Sequence, residues 1–240
     1  MSIERAASLI RRSSYLVAFT GAGISVESGI PAFRGDEGLW NRYDPRTLEI
    51  GYFLAHPLES WKVIREIFYD HFGRAEPNDA HRALAVLERE GRLRALITQN
   101  IDNLHQKAGS RDVIEFHGNS QKLLCLDCGE RRAAVEKDLE VLPPHCGCGG
   151  LLKPDFVFFG EGIPEQASSR AFAEAKRADV FLLIGTTGEV MPANMLPHDA
   201  KRHGASIIEV NTEPSLYTDR VTDIFLQGKA TEVMNALIAP

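Results

Sequence analysis

Residues 19–40 read FTGAGISVESGIPAFRGDEGLW, and the fold of the chain turns on how this stretch is read. The residues leading into it, Tyr15-Leu16-Val17-Ala18-Phe19, form an apolar run that predicts a buried strand. The run breaks at Gly21 and Gly23, where the backbone turns tightly and comes close to a ligand with no Cβ in the way. A short helix-compatible segment follows, then Pro31 and the apolar-charged pair Phe33-Arg34. Strand, glycine turn and helix N-terminus together predict backbone N–H groups free to face phosphates. The spacing departs from the usual dinucleotide fingerprint, because Val26 stands where its third glycine would fall. Taken alone, the Gly-x-Gly fits a plain strand-to-helix turn equally well.

Outward from this stretch, apolar runs and helical patterns alternate. Buried strands are predicted at Tyr15–Thr20, Leu93–Thr98, Val113–Phe116, Val180–Gly185, Ser206–Val210 and Ile224–Gln227. Several are almost continuously apolar, as strands covered on both faces are. Helices are predicted at Ala80–Glu90 with Asn78-Asp79 as cap, Pro164–Ala178 and Asn194–His203. Ile3, Ala6, Ala7 and Ile10 give the N-terminal segment an amphipathic helical pattern with no signal-peptide core. The alternation defines an α/β fold with a doubly wound, parallel, Rossmann-like sheet and ligands beyond the strand C-termini.

Two segments interrupt the alternation. Residues 36–78 read as a helical insertion with an apolar stripe of Trp61, Ile64, Ile67, Phe68 and Phe72. Residues 119–153 are rich in Cys, Gly and Pro and read as a smaller inserted lobe. The expected division is therefore 1–35, 79–118 and 154–240 for the sheet domain, with 36–78 and 119–153 inserted. At 240 residues the chain is long enough to bury a substantial core. Its formal net charge of −6 gives no basic footprint for nucleic acid, yet leaves a basic protein tail open as a substrate. No apolar run approaches the roughly 18 residues of a membrane helix. The expectation is a cytosolic protein that binds neither membrane nor specific nucleic-acid sequence, and a monomer.

All four cysteines fall within residues 125–148. Cys125-x-x-Cys128 is followed, after seventeen intervening residues, by Cys146-Gly147-Cys148. Paired cysteines at this spacing read as tetrahedral thiolate ligands of one structural zinc ion. A disulfide conflicts with a cytosolic chain, and a redox Cys-x-x-Cys leaves the second pair unexplained. The second pair is one residue tighter than the common knuckle, which leaves His145 as an alternative ligand.

Polar residues gather where strands end. Thr98-Gln99-Asn100-Ile101-Asp102 follows one strand and His117-Gly118 another, both where the ligand crevice of a doubly wound sheet belongs. Of the eight histidines, His117 alone ends an apolar strand and precedes a glycine. An imidazole titrating near 6.5 suits general-base work at neutral pH, although a hydrogen-bonded structural role also fits. Asn100 and Asp102 read equally as turn formers.

These pieces occur together in an order that resembles the sirtuins, NAD-dependent protein-lysine deacylases. The motifs are GAGISVESGIPAFR, TQNID, His117-Gly118, the cysteine module, PDFVFFGE and GTTGEVMPANMLP, and the resemblance runs from about Ser14 to Met234. It implies NAD as co-substrate, one structural zinc ion on Cys125, Cys128, Cys146 and Cys148, and acyl-lysine proteins or peptides as partners. Gly21, Ala22 and Gly23 would line the pyrophosphate, with Arg34 on the loop closing over it and Phe33 shielding the reacting ribose carbon. Ser25, Gln99, Asn100, Ile101 and Asp102 would surround the nicotinamide and its ribose, Asn100 and His117 being the catalytic pair and His117 the base. Gly185, Thr186, Thr187, Asn211 and Glu213 would hold the adenosine half, with Ala230 near the adenine. Val157, Phe158, Phe159, Gly160 and Glu161 would pair as a strand with the substrate peptide and, with His117, receive the acyl-lysine. The products would be nicotinamide, free lysine and O-acyl-ADP-ribose.

Departures from the family pattern sharpen the expectation. Thr187 replaces a serine, and Phe156 stands where a smaller aliphatic residue is common, which narrows the expected tunnel mouth. Relatives that take succinyl or malonyl groups carry a Tyr-x-x-Arg pair; the matching positions here are Ile64 and Ile67, or Arg65 and Phe68. A carboxylate beside them would be buried unpaired, so acetyl or a longer uncharged acyl group is expected. A protein ADP-ribosyltransferase and a non-catalytic NAD-responsive module use the same pocket and stay open. A dehydrogenase does not fit the broken fingerprint.

Overall fold

The computed structural model describes residues 2–31 and 38–239, with only the backbone of His71 and Phe72. Helix α1 (Ser2–Arg12) leads into β1 (Leu16–Thr20), a 3-10 segment at Ala22–Ser28, α2 (Ile50–Ala55) and α3 (Pro57–Ile64). The last continues as a π-helical stretch at Arg65–His71. Then come α4 (Asp79–Arg89), β2 (Leu93–Thr98), α5 (Leu104–Lys107), β3 (Val113–Glu115), β4 (Gly118–Cys125), β5 (Arg131–Ala133) and β6 (Leu152–Phe156). The chain closes with α6 (Glu165–Arg177), β7 (Val180–Ile184), α7 (Met195–Arg202), β8 (Ser206–Asn211), β9 (Ile224–Gln227) and α8 (Ala230–Ile238).

Six strands form one sheet in the order β3-β2-β1-β7-β8-β9, and every pairing is parallel. From β1 the chain winds outward through β2 and β3, then returns to the other side through β7, β8 and β9. This is the doubly wound topology, and its switch point lies between β1 and β7. Alternation along each strand explains the two helical layers. Leu16 and Ala18 of β1, with Leu182 and Ile184 of β7, pack against apolar residues of α1, α4 and α8. Val17 and Phe19, with Phe181 and Leu183, pack against Ala171 and Ala175 of α6 and Leu196 and Ala200 of α7. Burial on both faces is why these strands read as unbroken apolar runs.

A second sheet, antiparallel and in the order β5-β4-β6, carries the cysteine segment. Trp61, Ile64, Ile67 and Phe68 are buried against Leu123, Leu152, Phe156 and Phe158, so both inserted segments close over a single core. The Trp61 indole N–H donates to the Leu152 carbonyl at 2.9 Å across that junction. The cysteine lobe therefore has more apolar support than its own sequence predicts, because the helices of residues 36–78 supply it. The Phe72 side chain of the predicted stripe lies outside the described residues. Among the described residues no helix is long and apolar enough to cross a membrane.

Candidate active site

The loops that follow β1 and β7 touch at the switch point. The Gly21 N–H donates to the Ile184 carbonyl at 3.0 Å and the Gly23 N–H to the Gly185 carbonyl at 2.9 Å. A Cβ on Gly23 would sit 2.6 Å from the Gly185 Cα, and Gly185 itself has φ +63°. Only glycine at both positions allows this approach. The sequence expectation that the turn leaves its N–H groups free for phosphates therefore fails at Gly21 and Gly23. The last residue of β7 and the loop after it have claimed the two donors, and the segment that follows is 3-10 rather than α-helical.

A cavity of about 900 Å³ opens beyond these loops. Gly21, Ala22 and Gly23 line it from β1, Gln99, Asn100 and Ile101 from β2, and His117 from the end of β3. Gly185, Thr186 and Thr187, then Asn211 and Glu213, line it from β7 and β8, with Ala230 at the start of α8. Val157, Phe158, Phe159, Gly160 and Glu161 form the opposite wall. Ser25 and Asp102 line a smaller cavity that shares Ala22, Asn100, Ile101 and Phe68 with the large one. The predicted residues thus converge on one place. Phe33 and Arg34 lie outside the described residues.

A polar network ties the strand ends together. The Asn100 amide donates to the Gly21 carbonyl and to Ser25 Oγ, both at 3.1 Å, and the Ser25 hydroxyl donates to Asp102 Oδ2 at 2.7 Å. Burial pushes the Asp102 carboxyl up, while the Leu104 N–H and the Ser25 hydroxyl oppose that rise. Gln99 donates to Thr186 Oγ1 at 3.0 Å and Asn211 to the Thr186 carbonyl at 3.1 Å. These bonds fix the polar rim of the cavity from three different strands.

His117 is oriented by the same rim. Its Nδ1 lies 3.1 Å from the Gln99 carbonyl. A carbonyl only accepts, so Nδ1 carries the proton and Nε2 keeps a free lone pair. Burial lowers the pKa of the ring, and the Gln99 bond only partly offsets this. His117 is therefore a neutral imidazole of fixed tautomer at neutral pH, the form a general base requires. Gly118, which follows, has φ +79°, and its Cβ would fall 2.2 Å from the Asp155 carbonyl where the start of β4 pairs with the end of β6.

The far wall is aromatic. Phe156 and Phe158 stack with ring centres 4.9 Å apart, and Phe68 meets Phe156 edge-on at 5.2 Å. Trp40 and Leu48 complete this apolar end. The wall is less available for pairing than the sequence suggests. The Val157 N–H donates to the His117 carbonyl, the Phe159 N–H to the Leu48 carbonyl and the Glu161 N–H to the Phe158 carbonyl. The Phe158 N–H donates to the Glu161 carboxylate at 2.7 Å. A strand edge with open donors over the whole of Val157–Glu161 is therefore not what the fold presents, because folding of the wall itself has used these four.

The four cysteine sulfurs lie within 4.8 Å of one another. Cys125 and Cys148 are 3.5 Å apart, and Cys128 and Cys146 are 3.8 Å apart. A tetrahedral zinc ion with bonds of about 2.3 Å separates its sulfurs by about 3.8 Å, so the donor set fits zinc. The tight Cys146-x-Cys148 pair brings both of its sulfurs into that set. His145 stands aside, exposed, with Nδ1 on the Pro143 carbonyl at 2.9 Å.

Other residues of the site carry no signal in the sequence. His81 and His105 are fully buried beside it, their rings 4.8 Å apart, with His105 Nε2 2.9 Å from Thr20 Oγ1 and His81 Nε2 3.4 Å from Ser25 Oγ. Neither ends a strand, so nothing in the sequence set them apart. Glu27 carries none either; it lines the cavity and its carboxylate accepts from the Thr231 N–H at 3.0 Å in the first turn of α8.

A doubly wound sheet with glycine loops crossing at its switch point, a fixed neutral histidine and a cysteine-bearing lobe over an aromatic channel defines a nucleotide-dependent enzyme class. The chain belongs to the Sir2 family, whose model matches residues 21–192. It is 46% identical to NAD-dependent protein deacetylase 1 of Pyrobaculum aerophilum, over 98% of this chain and 93% of that protein. It is also 46% identical to an NAD-dependent protein deacylase of Aeropyrum pernix, over 98% and 96%. A solved Sir2 homolog–NAD complex superposes with a TM-score of 0.90 at 44% identity, covering 98% of this chain and 91% of that one. A Sir2 mutant solved with a deacetylated p53 peptide and 3′-O-acetyl ADP ribose superposes at 0.92 with 34% identity, covering 99% and 98%.

Proposed function

We propose that this protein removes acyl groups from protein lysine side chains at the expense of NAD, the activity that its archaeal relatives carry in their names. The observation that carries the reading is the placement of His117, a neutral base of fixed tautomer between the glycine-lined and aromatic parts of one cavity. NAD, as co-substrate, supplies the ribose carbon that takes the acyl oxygen as nicotinamide leaves, and the acyl group ends on ADP-ribose.

The chain's own residues position and protect that exchange. Gly21, Ala22 and Gly23 let the pyrophosphate approach the β1 loop, while Gly185, Thr186, Thr187, Asn211, Glu213 and Ala230 hold the adenosine half. Asn100, with Ser25, Gln99, Ile101 and Asp102, seats the nicotinamide ribose and carboxamide. His117 takes a proton from a ribose hydroxyl through Nε2. Phe156 and Phe158 keep water from the reacting atoms, and the Val157–Glu161 wall receives the acyl-lysine. The four cysteines would hold structural zinc, which takes no part in the chemistry.

The preferred acyl group is uncharged, acetyl or longer. Ile64 and Ile67 are buried in the small-lobe core, and Arg65 donates to the Leu139 carbonyl at 2.8 Å. Among the described residues lining the cavity the lysine and arginine positions reduce to Lys229, on the β9–α8 connection. A succinyl carboxylate in the aromatic channel would be left without a partner. The test is mass spectrometry of one reaction with NAD and equal amounts of acetyl-, butyryl-, myristoyl- and succinyl-lysine peptide. Loss of acyl mass with matching O-acyl-ADP-ribose is expected, with succinyl ranked last. Succinyl ranked first would overturn the acyl assignment, and ADP-ribose added to protein without acyl loss would replace the deacylase with a transferase.

A further inference from the structure

Lys153 is a cation with almost no access to water, 3% exposed, on the second residue of β6. Its Nζ donates to the Phe156 carbonyl at 2.6 Å and to Glu161 Oε2 at 3.0 Å, and lies 4.5 Å from the centre of the Phe158 ring. The same Glu161 oxygen accepts the Phe158 N–H. One ion pair, its ammonium buried and its carboxylate a quarter exposed, thus grips the backbone of Phe156, the backbone and ring of Phe158, and the turn ahead of Gly162. Those two phenylalanines form the aromatic wall of the cavity.

Such a pair is weak evidence of added stability. Desolvating an ammonium and a carboxylate costs about as much as their attraction returns, and apolar residues of similar volume often serve a fold as well. Lys153 feels that cost, since burial lowers its pKa against the pull of Glu161. What the pair supplies is direction: an ammonium with two acceptors and a ring face in fixed places leaves the wall one geometry.

We propose that Lys153 and Glu161 are a positioning pair that sets the aromatic wall, and through it the affinity for acyl-lysine and the preference among acyl lengths. The inference rests on the deacylase reading above. It predicts separation of the two substrates, because the pair contacts the acyl wall while the glycine loops that face the nucleotide lie on other strands.

The experiment is steady-state kinetics of the zinc-loaded wild type, Lys153→Met, Glu161→Gln and the double variant, with acetyl- and myristoyl-lysine peptides and with NAD varied separately. Each single variant is expected to raise KM for the acetyl peptide about tenfold, to shift the acetyl-to-myristoyl ratio, and to leave KM for NAD within about twofold. The double variant, which leaves neither charge unpaired, should cost less than the two singles combined. It also keeps the test open if a single variant does not fold. A merely structural pair would lower the melting temperature and kcat with both KM values unchanged. Peptide KM within about twofold of wild type in the folded variants, or NAD KM rising in step, overturns the inference. Absence of acyl loss in the wild type would instead sink the deacylase reading itself.

Discussion

His117 shows how far one side chain's chemistry follows from its neighbours. The Gln99 carbonyl decides the tautomer and burial decides the charge, both before any substrate arrives. In its proposed role as base it works only while neutral, so activity should be level above the ordinary histidine pKa near 6.5 and should fall on the acid side of the ring's lowered pKa. A kcat/KM profile from pH 5 to 8.5 checks this, and an acid limb above 7 would contradict the assignment. His117→Ala should lose turnover by at least about a hundredfold while keeping its fold and zinc, read by circular dichroism and metal content. Near-normal turnover in that variant would remove His117 from the chemistry. The sequence made His117 legible because it ends an apolar strand beside a glycine, and the structure supplies the reason for that glycine in the close pairing of β4 with β6. Lys153 was illegible for the opposite reason. A lysine reads as a surface residue unless its partner is known, and Glu161 becomes a partner only when the chain turns back on itself.

At the scale of elements, local signals and tertiary signals can be separated. The six sheet strands and α4, α6 and α7 were legible to within a residue at each end, because two-sided burial and helical periodicity are written into the sequence. Helix α4 also carries its own start signal. Asn78 Oδ1 accepts from the Ala80 N–H at 3.0 Å and the His81 N–H at 3.4 Å. Helix α8 went unpredicted because its N-cap, Lys229, has no capping side chain, and the acceptor comes from Glu27, more than two hundred residues away. Strand β6 was missed because Lys-Pro-Asp in LKPDF masks its burial. Asn78 does a second job: its amide donates to the Ile24 carbonyl at 2.8 Å and to Ser28 Oγ at 3.0 Å, joining α4 to the segment that follows β1. Asn78→Ala loses both roles and should cost about 1–2 kcal/mol in urea unfolding. Asn78→Asp keeps the cap but places an acceptor against the Ile24 carbonyl, so it should destabilise as well. If Asn78→Asp is as stable as wild type, the cap alone matters and the link to the β1 loop does not.

For the whole molecule, the buried histidines make stability depend on pH in a window of their own. His81 is fully buried and its pKa is pushed down to about 4, by burial first and by the Arg82 charge second. His105 is pushed in the same direction by burial and by His81. An unfolded chain binds protons on these rings near 6.5, whereas the native state refuses them until lower pH. Above 6.5 both states are neutral there and stability is level. As pH falls below 6.5 the unfolded state gains protons first, so each ring withdraws about 1.4 kcal/mol per pH unit, and His81 alone about 3 kcal/mol by pH 4. Asp179 opens a different window. Burial would raise its carboxyl, but donors from Ser13, Ser14 and Tyr15 outweigh that and hold it at about 2, so its contribution is lost only below about pH 4. Asp102, raised by burial, takes up a proton more readily when folded and offsets part of the loss. Urea unfolding with zinc in excess should therefore give a level free energy from pH 7.5 to 6.5 and a falling one from 6.5 to 4.5. His105→Phe removes one titrating ring and leaves the Thr20 hydroxyl bonded to Thr98, so the slope in that window should shrink by about 1.4 kcal/mol per pH unit. A slope unchanged in that variant would mean that the acid sensitivity arises elsewhere than in the pair of rings beneath the site.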